Sequence, residues 1–141
     1  MKVLIASDHA GYELKEQIKV HFNQDFEFED LGTNSLESVD YPDFAHKLAE
    51  RVVKDSNQYG VLICGTGNGM AMTANKHEGV RAGLCWSKEI ATLIRQHNNA
   101  NILVMPARFI PNATAFEIFD TFFHTDFEGG RHQRRIDKIN L

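Results

Sequence analysis

Long apolar runs are missing from this chain: no stretch approaches the roughly 18 consecutive apolar residues of a membrane span. Its N-terminus, MKVLIASDHAG, also lacks a signal-peptide pattern. Cysteine is scarce, with only Cys64 and Cys85, too few for the framework of a secreted disulfide scaffold. A cytoplasmic, reducing setting is therefore expected. Basic residues do not predominate: 15 Lys and Arg against 19 Asp and Glu leave a net charge of -4. That balance argues against generic nucleic-acid binding. Neither H-E-x-x-H nor C-x-x-C occurs, so no metal site is expected. Low-complexity linkers and internal repeats are absent, and 141 residues suit a single domain.

What the chain does contain is an alternation of short β-branched runs with longer amphipathic ones. KVLIAS (2–7) reads as a strand, followed by a helix carrying Leu14, Ile18 and Phe22 on one face. FEFEDLG (26–32) alternates with period two, a strand with one wetter face. Pro42 opens a second helix, where its missing amide costs nothing, with Phe44, Leu48 and Val52 as its apolar stripe. GVLIC (60–64) is continuously apolar, as a parallel strand covered on both faces should be.

A helix is predicted over about 68–76, then VRAGLC (80–85) as a fourth strand. Ser87 is the N-cap expected of the next helix, with Glu89 in its first turn. NILVM (101–105) is a fifth strand, and a fifth helix points Ala115, Ile118, Phe119 and Phe122 inward. Five such units predict an α/β fold, a three-layer sandwich with a Rossmann-like five-stranded parallel sheet.

Ligands in this architecture sit beyond the C-terminal ends of the strands. The first strand ends in Ser7-Asp8-His9, the third in Cys64-Gly65-Thr66-Gly67-Asn68-Gly69, and Arg108 follows the fifth. His97 and Asn98 close the fourth helix. All of these are expected on one edge of the sheet.

The glycine loop fails the familiar nucleotide tests. G-x-x-x-x-G-K-[ST] is absent, and G-x-G-x-x-G is broken because Met70 stands where the third glycine belongs. What remains is a strand–loop–helix junction whose amides can converge on an oxyanion. Cys64 sits directly before those amides, a position that favours a thiolate able to act as nucleophile or general base. Cys85 reads as an ordinary core residue. Of seven histidines, His21, His46, His77 and His124 are expected at the surface and His132 falls in the basic tail, leaving His9 and His97 as site candidates. In the tail, FEGGRHQRRIDKIN, Arg131 and Arg135 are spaced i,i+4 as a phosphate clamp, although a solvated basic helix would look the same. The preceding glycines permit a sharp turn, so a basic arm of about 128–141 could reach its own site or a neighbour's.

Taken in order, SDHAGYELK (7–15), LGT (31–33), DYPDFA (40–45), ICGTGNGM (63–70), ANK (74–76), GVRAGLC (79–85), RQHNNANIL (95–103) and EGGRHQRR (128–135) resemble the type B ribose-5-phosphate isomerases. The subunits of galactose-6-phosphate isomerase are relatives of that family. The resemblance runs nearly end to end. It implies a cofactor-free aldose–ketose isomerase acting through an enediol. Cys64 would then be the base between C1 and C2, with Gly65, Thr66, Gly67, Asn68 and Gly69 holding the enediolate oxygens. By the same resemblance His97 would be the proton donor for ring opening, and Asp8 and Asn98 would bind sugar hydroxyls. His9, Arg108, Arg131 and Arg135 would surround the phosphate, and Tyr41 would line the pocket. It further implies a homodimer or homotetramer with sites at the subunit interface. Asn68, Met70 and Met72 depart from the small or branched residues common there, which bears on sugar length. A six-carbon sugar phosphate, such as allose or galactose 6-phosphate, stays open as substrate, as does a non-catalytic sugar-phosphate sensor.

Overall fold

The first strand, β1 (Lys2–Ser7), is paired on one side with β2 (Glu27–Asp30) and on the other with β3 (Tyr59–Cys64). Beyond β3 lies β5 (Ile102–Pro106), and β4 (Ala82–Leu84) is the far edge. All four pairings are parallel, in the order β2-β1-β3-β5-β4. These relationships come from a computed structural model, which describes residues 1–140.

Between the strands run α1 (Tyr12–His21), α2 (Tyr41–Val53), α3 (Asn68–Ala74), α4 (Lys88–Gln96) and α5 (Asn112–Phe123), with a short α6 (Arg131–Ile136) at the end. Alternate strand residues divide the core into two. Val3, Ile5, Val61, Ile63, Leu103 and Met105 pack with α1, α4 and α5. Leu4, Ala6, Leu62, Ile102 and Val104 pack with α2 and α3. The division follows the chain's path. Steps from β2 to β3 and from β3 to β4 travel one way and place their helices on one face. Steps from β1 to β2 and from β4 to β5 travel back and place theirs on the other, as right-handed crossovers require.

The expected helix faces are largely as read. Leu14, Ile18 and Phe22 are buried, as are Ala115, Ile118, Phe119 and Phe122. Phe44 is only half-buried and packs at the margin. Ser87 caps α4, its Oγ accepting from the Ile90 amide at 3.3 Å. The third helix stops at Ala74, short of the predicted residue 76, and the fourth strand keeps only three of the six predicted residues. Gly129 and Gly130 adopt φ of +71° and +58°, the turn that starts the C-terminal arm.

One buried charge braces the sheet edge next to the strand ends. Lys15, with no exposed surface, pairs with Asp30, which also receives Lys19 at 2.7 Å. Asp30 Oδ1 accepts from the Gly32 amide at 2.8 Å. The 31–33 segment is in turn tied to β1, with the Ser7 amide donating to Gly32 O at 2.7 Å and the Thr33 amide to Ser7 O at 2.8 Å. Burial works against the Asp30 carboxylate, yet the lysines and the Gly32 amide hold its pKa below the ordinary range.

Candidate active site

Cys64 is the last residue of β3, 5 % exposed, and its Sγ accepts a hydrogen bond from the Gly67 amide at 3.2 Å. The Asn68 amide donates to Thr66 Oγ1 at 3.2 Å. The amides of Gly65, Thr66 and Gly69 have no acceptor among the described residues. The loop therefore holds the thiol with one amide, orients a hydroxyl with another, and keeps further donors for a ligand.

Each glycine has its own reason. Gly67 caps α3 at φ +80°, in the left-handed region, and a Cβ there would fall 2.3 Å from Leu84 Cδ1. At Gly69 a Cβ would sit 2.3 Å from Tyr41 Cε1, so the Tyr41 ring lies flush on the loop. Gly65 carries the Arg108 side chain, whose Cδ and Nη1 lie 3.3 and 3.4 Å from a Cβ placed there. The Arg108 amide donates to Gly65 O at 3.1 Å, which joins the turn after β5 to the turn after β3.

Beside this loop stands the end of β1. The Asp8 amide donates to Ile63 O at 3.2 Å, and Asp8 Oδ1 accepts from the Gly11 amide at 3.1 Å. His9 Nδ1 accepts from the Val39 amide at 3.2 Å, which assigns its proton to Nε2. Asp8, His9, Tyr41, the 64–69 loop and Arg108 are thus brought together where β1, β3 and β5 end.

The remaining candidates lie elsewhere, which corrects the expectation of a single edge. Helix α4 returns antiparallel to β4, so His97 and Asn98 stand just before β5 begins at Ile102. That is the N-terminal edge of the sheet. Asn98 shares a cavity there with Val80 and Arg81, which precede β4. A five-residue strand spans roughly 17 Å, so one chain keeps His97 and Asn98 at the opposite end from Cys64. The strand-end rule governs residues that follow strands, and His97 precedes one.

Arg131 and Arg135 join this second group. With His97, Asn98, His132, Ile136 and Ile139 they line a cavity of about 370 Å³. His97 stacks on His132, ring centres 4.3 Å apart and planes 13° from parallel. Glu128 Oε1 stands 3.7 Å from His97 Nε2 and 3.4 Å from His132 Nε2. Burial, then His97 and Arg131, push the His132 pKa down, and Glu128 opposes them. Sequence patterns give Glu128 and His132 no role of their own. Their i,i+4 spacing was the available signal, and their convergence on His97 was not.

Cys85 is a core thiol. Burial alone pushes its pKa up to about 12, which leaves it protonated and inert. His46 and His77, expected at the surface, pair there through Nδ1 and Nε2 at 2.7 Å.

The model of the ribose/galactose isomerase family matches residues 3–139. A probable ribose-5-phosphate isomerase B of Mycoplasma genitalium is 49% identical over 140 residues, covering 97% of this chain and 92% of the relative. Ribose-5-phosphate isomerase B of Escherichia coli is 40% identical, covering 98% and 93%. Among solved structures, a ribose 5-phosphate isomerase of Thermotoga maritima superposes with TM-score 0.96 at 52% identity, over 99% of this chain and 97% of the other. The Mycoplasma genitalium enzyme with bound ribulose 5-phosphate gives 0.94 at 49% identity, over 98% and 93%. With the glycine loop, its thiol and the Rossmann-like sheet in their expected places, the chain belongs to the ribose/galactose isomerase family, among the type B ribose-5-phosphate isomerases.

Proposed function

We propose that this protein interconverts ribose 5-phosphate and ribulose 5-phosphate through an enediol, with Cys64 as the base. The observation that carries the reading is the Cys64–Gly67 contact at the end of β3, with the Thr66 hydroxyl and unpaired loop amides beside it. Isomerisation removes a proton from C2 of the open aldose and returns it to C1. A single thiolate can do both, because the two carbons are adjacent. Negative charge meanwhile gathers on the C1 oxygen, where the Thr66 hydroxyl and the Gly65 and Gly69 amides supply preorganised donors. Tyr41 and Asp8 close the pocket around the sugar, and Arg108 and His9 face its phosphate end.

The two groups of residues define the rest. His97, Asn98, Arg131 and Arg135 complete the site only when a second copy presents its N-terminal sheet edge to the first copy's Cys64 loop. A two-fold dimer, or a tetramer built from two, supplies both sites at once. There His97 protonates the ring oxygen during opening, Asn98 binds a sugar hydroxyl, and the arginines of the 128–141 arm clamp the phosphate. Remote phosphate binding then holds C1 and C2 against the base. The chain acts as one domain of 1–141, cytoplasmic and without cofactor, and its two free thiols suit a reducing compartment.

Turnover of ribose 5-phosphate, allose 6-phosphate and galactose 6-phosphate in a coupled assay tests the substrate. A preference for either hexose phosphate would overturn the pentose assignment. Cys64→Ala should abolish turnover and solvent-deuterium incorporation while retaining sugar-phosphate binding. Binding without deuterium exchange in the wild type would instead mark a sensor.

A further inference from the structure

The cluster at the foot of α4 has a geometry that proton transfer to a sugar does not require. We propose that His97, Glu128 and His132 form a site for a divalent transition metal of the zinc class, and that its occupation inhibits the enzyme by withdrawing His97. The inhibitory half rests on the isomerase reading, and the site itself does not.

Local sequence patterns exclude a zinc helix, but they cannot see ligands brought from separate elements. Here α4 supplies one imidazole, and the turn after Gly129 and Gly130 sets another beside it, four residues from Glu128. The three ligand atoms lie within 4.8 Å of one another. Ligands about 2.0–2.1 Å from a tetrahedral zinc stand roughly 3.3–3.4 Å apart. The Glu128–His132 separation of 3.4 Å already matches that edge, and the Glu128–His97 separation of 3.7 Å nearly does. Two imidazoles and a carboxylate with an open fourth position is a donor set suited to zinc, cobalt or nickel.

The stacked rings must part for both lone pairs to meet one ion. His97, with its side chain 41% exposed, has the freedom to turn, whereas His132 at 9% is held. Ligation also needs both imidazoles in the neutral form. Arg131 and Arg135 line the adjoining cavity and oppose a bare cation. They favour an ion whose fourth ligand is an anion, such as hydroxide or inorganic phosphate.

Titrating Co(II) into the full-length chain, followed by calorimetry and visible absorption with Zn(II) as competitor, should reveal one saturable site per chain with nitrogen and oxygen ligands only. Glu128→Gln and His132→Phe should each weaken it at least about tenfold, with thermal melting confirming that each variant is folded. A sulfur charge-transfer band that disappears in Cys64→Ala would place the ion on the thiol and overturn the site. Binding that survives Glu128→Gln and is lost in His77→Asn would move the ion to the His46–His77 pair and overturn the site equally. Zn(II) should also inhibit wild-type turnover, reversibly by chelator, and inhibit Glu128→Gln at least about tenfold less. Equal inhibition of both would sink the regulatory half. Because binding is read without substrate, a chain that takes the ion but turns over no sugar phosphate refutes the isomerase reading alone.

Discussion

Two inactive variants should restore each other. Cys64→Ala disables the group at the C-terminal ends of the strands, and His97→Asn disables the group at the opposite edge. Neither homodimer should turn over ribose 5-phosphate appreciably. In the proposed two-fold dimer each site would take the Cys64 loop of one chain and His97 of the other. A mixed dimer then has one site carrying both defects and one site carrying neither. Random reassociation of equal amounts makes half the dimers mixed, and half of their sites are intact, so about a quarter of wild-type activity should return. The assay is coupled turnover after mild dissociation and remixing, or after co-expression with two affinity tags. Dual-tag purification should raise recovery to about half. If Cys64 and His97 served the same chain's site, every mixture would stay dead. That result, obtained with mixed dimers demonstrably present, would refute the two-chain site.

Gly67→Ala should abolish turnover and cost about 1–3 kcal/mol in denaturant unfolding, because φ of +80° is strained for alanine and the new methyl meets Leu84; full activity would show that the loop tolerates another cap. Phe119→Ala, with no exposed surface and packed among Phe22, Phe26 and Phe123, should cost about 3–5 kcal/mol, and a loss below about 1 kcal/mol would contradict its place in the core. Asp30 has a depressed folded pKa, so its stabilisation is fully present above the unfolded value of about 3.9 and is lost as pH falls through the folded value. Asp30→Asn should therefore lower stability at neutral pH and flatten the acid limb of a melting-temperature profile; an unchanged limb would contradict the network. Alkylation of the folded protein near neutral pH should leave Cys85 unmodified by mass spectrometry, since burial pushes its thiol pKa up to about 12.

The elements and most of their buried faces were legible because hydrophobic periodicity is a property of neighbouring residues. GVLIC announced a strand covered on both faces, and Phe119 and Phe122 announced the buried side of α5. The glycine loop likewise announced itself, but the reason for each glycine did not. Gly69 makes room for a Tyr41 ring that arrives from 28 residues earlier in the chain, and Gly65 makes room for Arg108.

By itself the sequence determined the alternation of strands and helices, the thiol at a strand end, and the residue types of the proposed sugar-phosphate site. Only the tertiary structure decided which of those residues meet. Inserting β5 between β3 and β4 set Arg108 against Gly65. The antiparallel return of α4 carried His97 to the far edge, away from Cys64 and onto His132 and Glu128. Short-range patterns encode what a segment becomes. The path of the chain through the sheet determines what that segment touches, and the separation of Cys64 from His97 follows from that path.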